Sequence, residues 1–210
     1  MKRFLNRVSA GRELGEILSS YRQYPCVVLA IPRGGVPVGF QIARKLHCPL
    51  GLVWAKKIGH PLSPELAIGA VSPDDTYIDY KSAASANYIH AETEKIRRRF
   101  SELKEKLNDH TEDIDLKGKY LILTDDGIAT GHTMIAGVRL LRKKLPEKII
   151  VAVPVAPEDA IKKLTNIADE VLVLYRPEWF TGIGGFYEDF TQLTDEEVHQ
   201  YLTAFTQPSS

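Results

Sequence analysis

The sequence predicts an α/β fold with a doubly wound, mostly parallel sheet of five strands. Five short runs rich in β-branched residues have the length and composition of buried strands. These runs occupy residues 26–31, 50–55, 120–124, 149–153 and 171–174. Most of them are followed by apolar residues at helical spacing, and such alternation is typical of parallel sheets. Ligands of these sheets bind beyond the carboxyl ends of the strands, so the loops at 32–36 and 125–133 are the first candidates.

The helices of the sheet are predicted from apolar residues that recur every three or four positions. The stripe after the first strand consists of Gly39, Ile42, Ala43 and Leu46. The stripe after the third strand consists of Met134, Ile135, Val138, Leu141 and Leu145. The stripe after the fourth strand consists of Ala160, Ile161, Leu164 and Ala168.

An excursion at about residues 67–110 interrupts this alternation. Segments 67–71 and 76–79, joined by Ser-Pro-Asp-Asp, predict a hairpin, and 82–107 predicts one long helix. We expect the excursion to form a lid or a dimer contact. Together with a C-terminal hood at 175–205 it completes a single domain over residues 1–210, and we expect a homodimer.

Composition excludes several functions. Lys and Arg number 27, as do Asp and Glu, so no bulk positive charge draws the protein to nucleic acid or to a membrane surface. The basic run at 95–99 is interspersed with glutamates on the long helix and predicts a salt-bridged, solvated face.

The chain lacks an apolar run of membrane-spanning length and its first residues lack the apolar core of a signal peptide, so we expect a cytoplasmic protein. Cys26, Cys48 and the histidines show no metal-ligand spacing, and both thiols are predicted to be buried.

A phosphate-binding loop is predicted directly after the third strand. Asp125 and Asp126 follow that strand immediately, and Gly-Ile-Ala-Thr-Gly-His-Thr comes next at 127–133. Small residues let backbone N–H groups surround an anion, the threonines add hydroxyl donors, and a helix beginning near His132 points its positive end at the loop. The alternative is an ordinary Asp-Gly turn with a helix cap, which does not account for the whole pattern. We assign the side chain of His132 no role.

The two adjacent carboxylates narrow the choice of ligand. They would repel a phosphate unless the ligand also carries hydroxyls or brings a divalent cation. A ribose 5-phosphate satisfies this condition, because its phosphate fits the loop and its 2′ and 3′ hydroxyls can donate to Asp125 and Asp126.

Segment 121–133, LILTDDGIATGHT, resembles the signature of type I phosphoribosyltransferases. The resemblance extends from residues 4–7 to 195–198 and includes 64–71 and 186–190; it points to predicted bacterial members whose acceptor is not generally defined. It implies the fold of that family, 5-phosphoribosyl-1-pyrophosphate as cosubstrate, Mg²⁺ as cofactor, and ribose hydroxyls bound by Asp125 and Asp126. The implied ligands of the 5-phosphate are Gly127, Ile128, Ala129, Thr130, Gly131, His132 and Thr133. Thr124 departs from the signature, which has an aliphatic residue there, and we expect its hydroxyl to bond back to the strand.

The loop after the first strand is the predicted pyrophosphate site. Gly34 and Gly35 permit close approach of an anion to backbone N–H groups, and Arg33 offers a fork of donors. The resemblance implies that these three residues bind pyrophosphate, often through a cis peptide that does not involve the nitrogen of proline. Lys56 and Lys57, which end the second predicted strand, either neutralise pyrophosphate or form a solvated basic end.

The acceptor site is less readable. Residues 175–190 are rich in aromatics and glycines, and aromatic rings either stack on a flat base or fill a core or a dimer interface. The segment is loosely similar to the purine-binding stretch of purine-salvage phosphoribosyltransferases. That similarity implies acceptor-binding roles for Phe180, Thr181 and Glu188.

Transfer of a phosphoribosyl group passes through an oxocarbenium-like sugar, so the protein contributes mainly positioning and electrostatic stabilisation. Asp125 or Asp126 assists as a base toward a nitrogen acceptor, a nucleobase among the candidates, or holds Mg²⁺ through water. The alternative function is a regulator that senses phosphoribosyl pyrophosphate or a nucleotide without turnover. An aspartyl-phosphate mechanism is disfavoured, because the second aspartate does not lie two residues after the first.

Overall fold

A computed structural model describes residues 3–78, 84–107 and 114–206. The strands are β1 (Cys26–Ala30), β2 (Leu50–Leu52), β3 (Lys56–His60), β4 (Ser63–Val71), β5 (Thr76–Ile78), β6 (Tyr120–Thr124), β7 (Lys148–Val155) and β8 (Glu170–Tyr175). The α-helices are α1 (Arg7–Ile17), α2 (Gly35–Leu46), α3 (Ala86–Leu107), α4 (His132–Arg142), α5 (Glu158–Thr165) and α6 (Asp195–Thr206). Residue 79 of the predicted hairpin, 82–83 of the predicted long helix and 108–110 of the excursion lie outside the described residues.

The central sheet confirms the predicted fold class. Its five strands are all parallel and lie in the order β2-β1-β6-β7-β8. Because the chain crosses from β2 past β1 to β6, the direction of strand succession reverses between β1 and β6. Their ends lie side by side, with Ala30 paired to Thr124. The loops that follow these two strands therefore open at the switch point of the sheet, where ligands of doubly wound folds bind.

Alternate residues of the buried strands face opposite layers of the core. Val28 and Ile122 belong to the apolar cluster that includes residues of α2 and α3, whereas Leu29 and Leu123 belong to the cluster with residues of α4 and α5. This double burial explains why the strands read as continuous apolar runs rather than as alternating patterns. Cys26 and Cys48 are buried free thiols, as predicted.

A second, antiparallel sheet of order β3-β4-β5 carries the excursion. The predicted hairpin is present in the pairing of β4 with β5, but the expected extent of the second strand is wrong. That strand ends at Leu52, and Lys56 and Lys57 begin β3 instead of ending β2. The reason is that β4 offers these residues an antiparallel partner, with Lys56 opposite Val71.

Two helix ends and two whole helices differ from the expectation. Helix α4 stops at Arg142, and Leu145 is 64% exposed with a positive φ of 55°, so it does not extend the stripe. Helix α5 stops at Thr165, which leaves Ala168 beyond it. Helices α1 and α6 were not predicted, and α6, which ends the proposed hood, contacts α2 and α3.

None of the helices in the described ranges is both long and apolar enough to cross a membrane.

Candidate functional site

The two predicted anion loops touch each other at the switch point. A Cβ atom on Gly34 would lie 2.1 Å from Oδ2 of Asp126, and one on Gly35 would lie 2.9 Å from the Cα atom of Asp125. Both positions therefore require glycine for reasons of space. The Pro32–Arg33 peptide bond is cis, which confirms the bond type that the resemblance implied.

The 127–133 loop is anchored at its centre and open at its tip. The N–H of Ile128 donates to the carbonyl of Val155 at 2.8 Å, whereas Ala129 and Thr130 are exposed. Gly131 has a positive φ of 82° and caps α4, which begins at His132. The open tip thus precedes a helix N-terminus, where backbone N–H groups and the helix dipole favour an anion.

The carboxylates at the start of this loop lie in unequal environments. Asp126 is buried, and its Oδ2 accepts a hydrogen bond from Nε of Arg7 at 2.8 Å. Burial raises the pKa of Asp126, and the Arg7 guanidinium opposes that rise. Burial raises the pKa of Asp125 well above its usual range, and the neighbouring Asp126 raises it further. Within the pair, Asp125 therefore retains a proton more readily than Asp126, whose charge Arg7 partly compensates.

Three residues that sequence reasoning missed surround Asp126. Arg7 comes from α1, the Tyr187 hydroxyl donates to the backbone carbonyl of Asp126 at 2.6 Å, and Phe190 lies 3.9 Å from the Arg7 guanidinium carbon. Burial raises the pKa of the Tyr187 hydroxyl, which therefore remains a donor at neutral pH. The available signal was the resemblance itself, which included segments 4–7 and 186–190 without assigning a role to Arg7, Tyr187 or Phe190.

A cavity of about 410 Å³ extends from the loop after β1, which was predicted to bind pyrophosphate. It lies between residues 31–34, 53–56, helix α3 and residues 190–193. The cationic side chains that line it are Arg7, Arg33, Lys56 and Arg99, and Asp126 is the one carboxylate among the described lining residues. A cavity of this size and charge suits an anion with several oxygens.

Only some of the cationic side chains that line this cavity were predicted to bind an anion. Arg33 and Lys56 were expected at the pyrophosphate end, whereas Lys57 does not line the cavity. Arg99 was expected on a solvated, salt-bridged face. That expectation holds for Lys95 and Arg97, which pair with glutamates of the same helix; Arg99 is exposed, as expected, but it also borders the cavity.

Arg33 also has a protein partner. Its Nε donates to Oδ1 of Asp195 at 2.7 Å, at the first residue of α6. Both side chains are about one-third exposed, so a ligand can reach the guanidinium.

The residues predicted to bind the acceptor lie outside this cavity. Phe180 stacks on Phe186 with ring centroids 5.6 Å apart, and Thr181 and Glu188 are exposed. The structure does not bring these three together with the cavity. It brings the same C-terminal segment to the site at other positions, because Ile183 approaches Gly127.

Thr124 departs from the expectation as well. Its hydroxyl is fully buried and has no hydrogen-bond partner within the part of the chain that the structure describes. The expected bond back to the strand is therefore wrong.

Within the described ranges, no group of three or more His, Cys, Asp or Glu side chains could hold a metal ion. Asp125 and Asp126 nevertheless provide the donors that Mg²⁺ uses in substrate-assisted sites, which need one or two carboxylates and take the remaining ligands from phosphate oxygens and water. The donor set thus fits a Mg²⁺ ion that arrives with a phosphorylated ligand.

Comparisons with known proteins agree with this geometry. The model of the phosphoribosyl transferase domain family matches residues 6–191. A Mycobacterium tuberculosis protein named "Putative phosphoribosyl transferase Rv0571c" is 36% identical over 207 residues, which are 96% of this chain and 47% of that protein. The chain therefore spans about half the length of the curated relatives of this kind that it matches. A ribose-phosphate pyrophosphokinase of Thermococcus kodakarensis is 33% identical over 126 residues, which are 57% of this chain and 43% of that enzyme.

A solved structure matches nearly the entire chain. The crystal structure of TT1426 from Thermus thermophilus is 34% identical, covers 98% of this chain and 100% of its own, and superposes with a TM-score of 0.89. The family model covers both anion loops and the segments that surround Asp126. The chain belongs to the phosphoribosyl transferase family.

Proposed function

We propose that the protein transfers the phosphoribosyl group of 5-phosphoribosyl-1-pyrophosphate to a nitrogen acceptor and releases pyrophosphate. The observation that carries this proposal is the contact between the two anion loops, where a Cβ on Gly34 would lie 2.1 Å from Asp126. A ligand that presents one anionic group to each loop and hydroxyls to the junction between them matches this arrangement.

In this proposal each part of the cosubstrate binds a different part of the site. The 5-phosphate binds the 127–133 loop at the N-terminus of α4, and the ribose hydroxyls donate to Asp125 and Asp126. The pyrophosphate binds Arg33, Gly34 and Gly35 and extends into the cationic cavity toward Lys56. Mg²⁺, held through water by the two aspartates, would neutralise charge on the leaving pyrophosphate.

The acceptor approaches C1 from the face opposite the leaving group, away from Arg33. Its N–H proton needs a base, and Asp125 is the better candidate because a raised pKa brings a carboxylate closer to the operating pH. Residues 175–190 border the loop on its Gly127 side, and we keep Phe180, Thr181 and Glu188 as proposed acceptor contacts. Transfer rates that are unchanged in Phe180→Ala for every purine would argue against a stacked purine.

Pyrophosphate release from phosphoribosyl pyrophosphate tests the proposal. The reaction is screened over purines, pyrimidines and other nitrogen acceptors, with and without Mg²⁺. Release is expected only with a suitable acceptor and is expected to fall in Asp125→Asn and Asp126→Asn. Asp159→Asn, an exposed aspartate on α5, is the matched control and keeps the wild-type rate.

The Arg33–Asp195 ion pair favours a second candidate, a sensor of phosphoribosyl pyrophosphate. Pyrophosphate that competes for the Arg33 guanidinium would release the first residue of α6 and could signal ligand binding through that helix. Tight binding without release for any acceptor would select this function over the transferase.

A further inference from the structure

The guanidinium of Arg7 is held from three directions. Nε donates to Oδ2 of Asp126 at 2.8 Å, a terminal nitrogen donates to the carbonyl of Thr191 at 2.9 Å, and the ring of Phe190 lies against its face at 3.9 Å. Each contact uses a different property of arginine, namely its fork of donors, its charge and its flat face. The side chain is only 11% exposed, so its orientation is well determined by its surroundings.

The backbone around Arg7 is fixed by its own helix cap and by residues 186–188. Asn6 and Ser9 form a capping box at the start of α1, where Arg7 is the first helical residue. Phe4 joins this part of the chain to the C-terminal segment. Its N–H donates to the carbonyl of Phe186 at 2.8 Å, and its carbonyl accepts from the N–H of Glu188 at 2.9 Å. Segments 4–7 and 186–190, which the resemblance singled out, thus meet each other at Asp126.

Asp126 is confined on its other side as well. The Cα of Gly34 lies so close that a Cβ would contact both Oδ2 and Cγ, at 2.1 Å and 2.5 Å. The Tyr187 hydroxyl holds the backbone carbonyl of Asp126, and the Tyr187 ring stacks on Phe190 with centroids 5.0 Å apart. The carboxylate is therefore wedged between Arg7 and the pyrophosphate loop.

A purely structural role does not account for this arrangement. A buried ion pair loses so much hydration that it contributes little net stability. Arg7 instead sits where its partner is one of the two carboxylates of the 127–133 loop and where its own side chain lines the cationic cavity.

We propose that Arg7 is a positioning residue, which holds the Asp126 carboxylate in the orientation in which it accepts a hydrogen bond from a ribose hydroxyl. The inference rests on the proposed function, in which the ribose of the cosubstrate binds Asp125 and Asp126. Tyr187 and Phe190 support Arg7 and do not contact the sugar in this assignment.

Calorimetric titration with ribose 5-phosphate and with its 2-deoxy and 3-deoxy analogues tests the inference. The wild type is expected to prefer ribose 5-phosphate over at least one analogue by about tenfold or more, because a hydroxyl bound to a carboxylate is a strong hydrogen bond. In Arg7→Gln this preference falls to about twofold or less, while Arg7→Lys, which keeps the charge and loses the fork, retains part of it. Arg12→Gln, an exposed arginine on the same helix, is the matched control and keeps the full preference.

The ratio of the affinity for ribose 5-phosphate to the affinity for each deoxy analogue distinguishes a positioning role from a general loss of stability. A general loss of stability would weaken the binding of all three sugars by the same factor. An unchanged ratio in folded Arg7→Gln overturns the inference. If Arg7→Gln does not fold, Arg7→Lys decides, and a wild-type ratio there has the same meaning.

A wild type that binds none of the three sugars would contradict the proposed function first. The positioning of Asp126 is then decided by its carboxyl ¹³C resonance. A shift of that resonance in Arg7→Gln but not in Arg12→Gln supports the role of Arg7, and an unshifted resonance overturns it.

Discussion

Replacing Gly34 by alanine tests how closely the two anion loops approach each other. The backbone of Gly34 has φ −58° and ψ −34°, which alanine adopts without strain. The added Cβ would nevertheless lie 2.1 Å from Oδ2 of Asp126. Since non-bonded contacts are ordinarily above about 3 Å, the carboxylate or the loop must move by roughly 1 Å.

The cost of this movement can be worked from the contacts that it breaks. Overpacking a well-packed position costs about 1–3 kcal/mol. Displacing the carboxylate also breaks the Arg7–Asp126 hydrogen bond, and although the intact pair contributes little net stability, leaving a buried partner unpaired costs about 1–3 kcal/mol. The two terms overlap, because the same displacement relieves the clash. We therefore expect Gly34→Ala to lower the free energy of unfolding by about 2–4 kcal/mol.

Urea unfolding of four variants measures this cost and its cause. Gly185→Ala is the control, because its nearest atom would lie at an ordinary 3.4 Å, and we expect it to change stability by less than about 1 kcal/mol. In an Asp126→Ala background, which removes the clashing atoms, Gly34→Ala should likewise cost less than about 1 kcal/mol. An equal cost of Gly34→Ala in both backgrounds would refute the reasoning.

Three further predictions concern charge and polarity at the site. Because the pKa of Asp125 is raised in the folded protein, the folded state binds that proton more tightly than the unfolded chain, and stability falls as pH rises above about 4 toward the raised value. Asp125→Asn should reduce this fall, to which the raised pKa of Asp126 also contributes, and increase stability at neutral pH in Mg²⁺-free buffer; a variant less stable than the wild type would contradict this. Arg99→Gln should weaken binding of inorganic pyrophosphate roughly tenfold and Arg98→Gln, an equally exposed neighbour that does not line the cavity, should not, as measured by calorimetry; equal affinities would remove Arg99 from the site. Thr124→Val should leave stability equal or increase it by up to about 1 kcal/mol in urea unfolding, because it removes a buried hydroxyl without a described partner; a clear loss would show that the hydroxyl is paired.

The fold was predictable where local pattern and burial coincide. Strands β1, β2, β6 and β7 of the central sheet are almost entirely buried, so they stand out as short apolar runs, whereas the edge strand β8 is half-buried. Helix α1 was missed because glycines and charged residues dilute its apolar stripe, although Asn6 and Ser9 form its cap. The boundary at Lys56 was missed because it depends on the pairing partner that β4 provides and not on the composition of the run.

The residues of the candidate site were likewise predictable only in part. Both anion loops were readable because each is one contiguous segment of small residues after a strand. Arg7 was not, because its contact with Asp126 spans 119 residues and nothing in its local sequence indicates a site. Arg99 shows the same limitation. Arg97 pairs with a glutamate and Arg99 borders the cavity, although the two arginines lie only two positions apart on α3.

The meeting of segments 4–7 and 186–190 at Asp126 also bears on how the protein is made. The Arg7 side chain bonds to residues 119 and 184 positions away, so its surroundings are complete only after Thr191 has been synthesised. Contacts of such sequence separation carry a loop-closure cost that slows folding. A chain that stops before residue 187 would carry both anion loops but would lack Tyr187 and Phe190. An incompletely synthesised chain is thereby kept from presenting a finished site.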